Sequence, residues 1–232
     1  MTQDRINVII IGVLYIVAAA TAVIAVLFYQ PVLSGQWYMA VENEFETKIL
    51  IGVLNDVFLV VAAVGTAVML FPYIRKWNEH LALGYLCFRF MEAVFIAIGL
   101  IGILGLLSLS MHYETGSLTN ETIQATGFLL QSFHRWTFML GPNLMLGINT
   151  FLYSYLLFKT GIIPKPLAVF GMVTAVFVFG AGLLDMFGII EPLSAAKGIL
   201  ALPVGVYEMS LAAWLIVKGF NKNKLNELRG RN

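Results

Sequence analysis

The sequence predicts an all-α protein, a polytopic integral membrane bundle of six transmembrane helices with both termini in the cytoplasm. Three observations predict it. The first is composition: of 232 residues, 59% are hydrophobic and 12% charged, with a mean hydropathy of +0.86. Soluble domains run at about 45–50% apolar and about 25% charged, and a chain of this size folded in water could not hide so much apolar surface. The second is that the apolar residues fall into six runs, each near the roughly 20 residues a helix needs to cross a bilayer. The third is the uneven placement of Lys and Arg in the connections. The net charge of +1 excludes a nucleic-acid binder, and the single cysteine, Cys87, excludes a disulfide framework.

The runs follow in order. The first, 6–29, closes on Gln30-Pro31. It exceeds the apolar core of about 7–15 residues found in a cleaved signal peptide, so it is expected to stay. The second, 49–73, ends at Arg75-Lys76, and the third is 81–108. The fourth spans 121–158, its apolar part preceded by a half-polar lead-in up to Trp136. The fifth, 167–190, follows Pro164-Lys165-Pro166, and the sixth is 199–217. Connections are short, so one domain covering 1–232 is expected.

Orientation follows the basic residues. With the N-terminus inside, ten of them lie in the cytoplasm: Arg5, Arg75, Lys76, Lys159, Lys165, Lys218, Lys222, Lys224, Arg229 and Arg231. Only Lys48 and Lys197 lie outside.

Six charged residues remain at membrane depth: Asp56, Arg89, Glu92, Arg135, Asp185 and Glu208, with His134 beside Arg135. At about 3 kcal/mol each, unpaired, they would oppose insertion by roughly 18 kcal/mol. They must therefore face the bundle interior. Tyr85, Arg89 and Glu92 are spaced i, i+4, i+7 on one helix face. Asn143, Gly147, Thr150 and Ser154 form a small-polar stripe, and Gly99, Gly102 and Gly105 suit close helix packing. Pro142 and Pro203 free backbone carbonyls inside helices. Estimated depths place the ionisable groups in the middle and outer half, which predicts a polar acidic cavity facing outward. Four carboxylates against two guanidiniums leave a deficit of positive charge. The expected ligand- or ion-binding residues are Asp56, Tyr85, Arg89, Glu92, His134, Arg135, Asp185 and Glu208.

The function expected from this pattern is proton- or cation-linked binding or transport of a small solute. One alternative is a sensor or assembly partner with a structural salt-bridge core. Another is a metal-dependent intramembrane hydrolase using His134, Asp56 and Asp185, although no His-x-x-x-His or Gly-x-Ser-x-Gly pattern occurs. Cys87, between Leu86 and Phe88, is expected to be a buried, inert thiol. No lysine lies mid-helix to carry a retinal Schiff base. No cofactor is expected, and a non-enzymatic role is favoured. Expected partners are the lipid bilayer, a small cation or protonated solute, and a second copy of the chain.

Three segments carry a resemblance. Leu83-Gly84-Tyr85 through Arg89 to Glu92 is the first, and His134-Arg135-Trp136 through Gly141-Pro142 the second. The third is Tyr207-Glu208-Met209 through Trp214 to Lys218-Gly219-Phe220. Together they resemble a bacterial and archaeal membrane family known as a domain of unknown function, DUF4386. The resemblance covers nearly the whole chain. It implies a six-helix protein of a prokaryotic cytoplasmic membrane and brings no activity, ligand or catalytic residue.

Overall fold

Apolar runs this long fold as helices because only a helix satisfies its own backbone in lipid. A computed structural model of the chain describes residues 2–33, 43–114, 119–191 and 194–230, and Arg231 lies outside them. The helices are α1 (Gln3–Pro31), α2 (Asn43–Ile74), α3 (Glu79–Glu114), α4 (Asn120–Met139), α5 (Leu146–Thr160), α6 (Lys165–Met186), α7 (Ala195–Val217) and α8 (Lys222–Arg229). No strand occurs among the described residues. Five of the helices, α1, α2, α3, α6 and α7, are long and apolar enough to cross a membrane. Leu27, Val61, Ile101 and Phe128 point outward, 62–72% exposed. Water would not tolerate such a surface, and acyl chains would.

Local chemistry sets the ends. Thr119 caps α4 by accepting from the Thr122 amide, and Ser194 caps α7 by accepting from the Lys197 amide. Gly161 ends α5 at a φ of 63°, a left-handed turn that glycine takes without strain, three residues before Pro164. Between α4 and α5 the chain does not break. Leu140–Met145 form a π-helical turn around Pro142, so 120–160 is one long rod. Proline lacks the N–H of the regular ladder, and a local π turn is one way a helix absorbs it. This rod covers the residues of the expected fourth run, but neither of its α-helices is among the five long and apolar enough to cross a membrane.

The helices pack in a ring: α1 on α2, α2 on α3, α3 on the α4–α5 rod, α5 on α6, α6 on α7, and α7 back on α1. Neighbours run antiparallel. On α1 and α2, Asn7 meets Tyr73 while Asn55 reaches the Thr21 carbonyl. On α3 and α4, the Gly99 carbonyl meets His134 and Gly105 faces Leu130. An even number of alternating rods returns the chain to its starting end. There Arg5 donates to the Leu215, Ile216 and Val217 carbonyls, and Arg229 bonds Asp4 at 2.7 Å. Short α8 lies across this end with Leu225 and Leu228 buried. Lys159 and Lys165 lie over the rings of Trp77, Tyr155 and Phe158 at the same end.

Candidate functional site

The ring interior places one cation between two acids. Arg89 stands ten residues into α3, about 15 Å from its start, and Glu208 nine residues from the end of α7, about 14 Å. Glu208 therefore lies near the middle of α7, and Arg89 in the first third of α3. The Arg89 guanidinium donates to Glu92 Oε2 at 2.9 Å and reaches Glu208 Oε1 at 3.8 Å. Its Nε donates to the Ala63 carbonyl of α2 at 3.4 Å. Asn149 of α5 donates to the same Glu92 oxygen at 2.6 Å. All three ionisable side chains are enclosed, at 2%, 5% and 7% exposure for Arg89, Glu92 and Glu208. Arg89 and Glu92 stand on α3 and Glu208 on α7, and one guanidinium faces two carboxylates.

Four tyrosines pack beside this cluster. Tyr153 stands within 6.0 Å, ring centre to ring centre, of Tyr15, Tyr85 and Tyr207, and all four are wholly buried. Tyr207 and Ser154 share a hydrogen bond of 2.8 Å. Among the described residues, the hydroxyls of Tyr15, Tyr85, Tyr153 and Thr150, with Asn149 Oδ1 and Glu208 Oε1, make no hydrogen bond of ordinary geometry. A buried polar atom left without any partner costs about 1–3 kcal/mol. Six of them around one ion cluster therefore mark a region suited to water or a small polar guest.

The other expected site residues stand apart from this cluster. Asp185 is buried, held by Lys197 Nζ at 2.6 Å and by Arg135 at 3.4 Å. This joins α4, α6 and α7 toward the end opposite the termini. Arg135 is half exposed. His134 is buried, its Nδ1 on the Gly99 carbonyl at 3.1 Å and its ring edge-on to Tyr29 at 6.1 Å. Asp56 is 2% exposed, pairs with no cation among the described residues and faces the Tyr29 hydroxyl. Among the described residues no three His, Cys, Asp or Glu side chains gather as metal ligands, so His134, Asp56 and Asp185 do not form the set a zinc hydrolase needs.

Asp56 yields a direct expectation. Asp56→Asn removes a buried charge without orphaning a cation, so stability in detergent should hold or rise by up to about 1 kcal/mol. Equilibrium unfolding in mixed dodecyl maltoside and SDS measures it. A loss above about 2 kcal/mol would reveal a partner that Asp56 holds.

Two expectations are corrected. Cys87 is exposed. It lies two residues from both Tyr85 and Arg89 and so points away from the buried face. Lys197, read as a loop residue, sits in the first turn of α7, because Ser194 caps that helix earlier than hydropathy suggests. Two hollows of about 200 and 290 Å³ are present, the first lined by apolar α2 and α3 residues and the second at the terminal end. Neither is lined by Asp56, Arg89, Glu92, Asp185 or Glu208, so the expected shared pocket is not among them. Tyr85 is among the expected residues, whereas Asn149, Tyr15, Tyr153 and Tyr207 escaped sequence reading. For the tyrosines a signal existed: each is a large amphipathic residue inside an apolar run.

The model of one family, described as a domain of unknown function (DUF4386), matches residues 10–219. No curated protein and no solved structure matches the chain. The match covers most of the sequence, and the chain belongs to the DUF4386 family.

Proposed function

We propose that this DUF4386 member is a six-span carrier of the prokaryotic cytoplasmic membrane, which moves a small solute together with protons or cations. The α4–α5 rod is the sixth crossing. Supporting this, the ring needs that rod to close, and Arg229 meets Asp4 at one end, as an even number of crossings requires. The ten-to-two bias of basic residues supports a cytoplasmic position for that end.

One observation carries the functional reading: a single guanidinium enclosed between two buried carboxylates, with hydroxyls that make no hydrogen bond among the described residues around it. Low dielectric opposes an uncompensated negative charge. Glu92 is the better satisfied acid, since Arg89 and Asn149 both donate to it. Glu208, at 3.8 Å from Arg89, is the exchangeable group: it takes a proton or a cation and gives it up as Arg89 shifts toward or away from it. Arg89 is a positioning residue that sets that exchange.

The test is proton flux into proteoliposomes loaded with a pH-sensitive dye, driven by an imposed potassium diffusion potential. Wild-type protein is expected to conduct, and Glu208→Gln to fall to the level of empty liposomes. Equal flux in both would remove Glu208 from the mechanism, and no flux in either would remove the carrier. The latter outcome favours the second reading, a sensor or assembly partner whose ion cluster only fixes packing. The short Arg89–Glu92 and Asn149–Glu92 bonds favour that reading, because they are what a structural lock needs.

A further inference from the structure

A second polar region lies at the bundle end where the termini meet, apart from the carrier site. A hollow of about 290 Å³ opens between the start of α1, the end of α2 and the inner face of α8. Its floor is apolar and aromatic: Leu225 and Leu228 of α8 and the buried ring of Tyr73. Three cations and one acid line it. Arg229 is committed to Asp4 at 2.7 Å, and the Tyr73 hydroxyl also faces Asp4 at 3.4 Å, so that pair cancels within the protein.

The other two cations are less firmly held, Arg75 by the Phe71 ring at 5.7 Å and by one weak ion pair. Arg75 reaches Glu79 only at 3.9 Å, between side chains 46% and 69% exposed, which is a weak pair. Lys76 is half-buried and makes no ion pair or hydrogen bond among the described residues. An ammonium partly withdrawn from water without a partner favours an anion at that point. Along the same helices, Ile6 and Ile10 of α1 and Val68 of α2 are exposed, so an apolar surface runs from the hollow along the bundle. Cations beside an apolar floor, next to a wall that faces acyl chains, match one ligand chemistry. We propose that this hollow binds the phosphate-bearing headgroup of an anionic phospholipid, with Arg75 and Lys76 on the phosphate. The arrangement ties α8 to α1 and α2 through a lipid, and it stands whether or not the chain is a carrier.

The experiment is lipid binding by the full chain in dodecyl maltoside, read by native mass spectrometry and by thermal stability. The probes are phosphatidylglycerol, phosphatidylcholine and inorganic phosphate. Phosphatidylglycerol is expected to bind tighter than phosphatidylcholine and to raise the melting temperature. Each basic residue at an anionic headgroup is worth about fivefold in affinity, so Arg75→Gln with Lys76→Gln should lose roughly 25-fold. Lys218→Gln with Lys222→Gln removes the same charge from the same end but off the hollow, and should leave the preference intact. Equal binding of the two lipids overturns the proposal, as does an equal loss in the two double variants. Stabilisation by inorganic phosphate without a lipid preference also overturns it and assigns the hollow to a free phosphate. Should the Arg75 and Lys76 double variant not fold, Lys76→Gln alone carries the same test with a fivefold loss.

Discussion

Arg89→Gln is expected to destabilise the protein by about 3–5 kcal/mol, the range for removing one partner of a buried ion cluster. The reason is what remains. Glu92 and Glu208 would keep Asn149 as a donor to one oxygen but would lose the cation that lies 2.9 Å from one and 3.8 Å from the other. Glu208→Gln should be far milder, since Arg89 retains Glu92 and the Ala63 carbonyl. Combining Arg89→Gln with Glu92→Gln should recover part of the loss, a coupling of about 1–3 kcal/mol between neighbours. Unfolding in mixed micelles, followed by tryptophan fluorescence and extended to the Glu92→Gln single, gives the values the cycle needs. Additive single losses would show that the guanidinium does not hold the acids in place. The larger change separates lock from site. Arg89→Met with Glu92→Leu and Glu208→Leu replaces the cluster by apolar groups, which is often neutral or stabilising. If it is neutral here, the ions are not kept for stability, and the exchange role of Glu208 gains weight.

The parts legible in sequence are those set by local period. Five of the six expected runs read out as helices long and apolar enough to cross a membrane, because apolar length decides them, and the Tyr85, Arg89 and Glu92 face read out because i, i+4, i+7 needs no tertiary information. All three are buried as expected, at 0%, 2% and 5% exposure. The glycines of α3 read correctly as packing positions: a Cβ on Gly99 would stand 2.8 Å from Thr137 Oγ1, and one on Gly105 3.0 Å from Leu130. Partner choice was not legible. Asn149 is invisible as a ligand of Glu92 because the π turn at Leu140–Met145 resets the helix phase before it, so faces extrapolated from α4 slip. The pairing of Asp185 with Lys197 depends on where α7 begins, and a hydropathy window sees the first apolar residue rather than the Ser194 cap. A sum of charges over five helices could not say that they would divide into separate groups.

One substitution should change sign with position. Gly171→Ala is expected to lose about 1–3 kcal/mol or more, and Gly147→Ala a similar amount, through overpacking. At Gly171 the new methyl would fall on the Tyr207 ring and the Ser154 hydroxyl. Neither can yield, because Tyr207 is wholly buried, stacks on Tyr153 at 6.0 Å and shares its hydrogen bond with Ser154. At Gly147 the methyl would come within 2.6 Å of Phe179 Cβ and 3.1 Å of its Cα, so backbone would have to move and α5 would part from α6. Gly180 and Gly205 are helical too, yet nothing lies within 4 Å of a Cβ added there. Alanine at those two positions should stabilise by up to about 1 kcal/mol, from backbone entropy and helix propensity alone. The same chemical change thus distinguishes helix contacts inside the ring from open helix surface. Because Tyr207 precedes Glu208, Gly171→Ala should also move the carboxyl relative to Arg89, so its flux should fall even where the protein folds. Gly180→Ala leaves α6 in place and should keep flux unchanged. If all four variants lose stability alike, the close contacts at Gly147 and Gly171 are not what holds α5, α6 and α7 together.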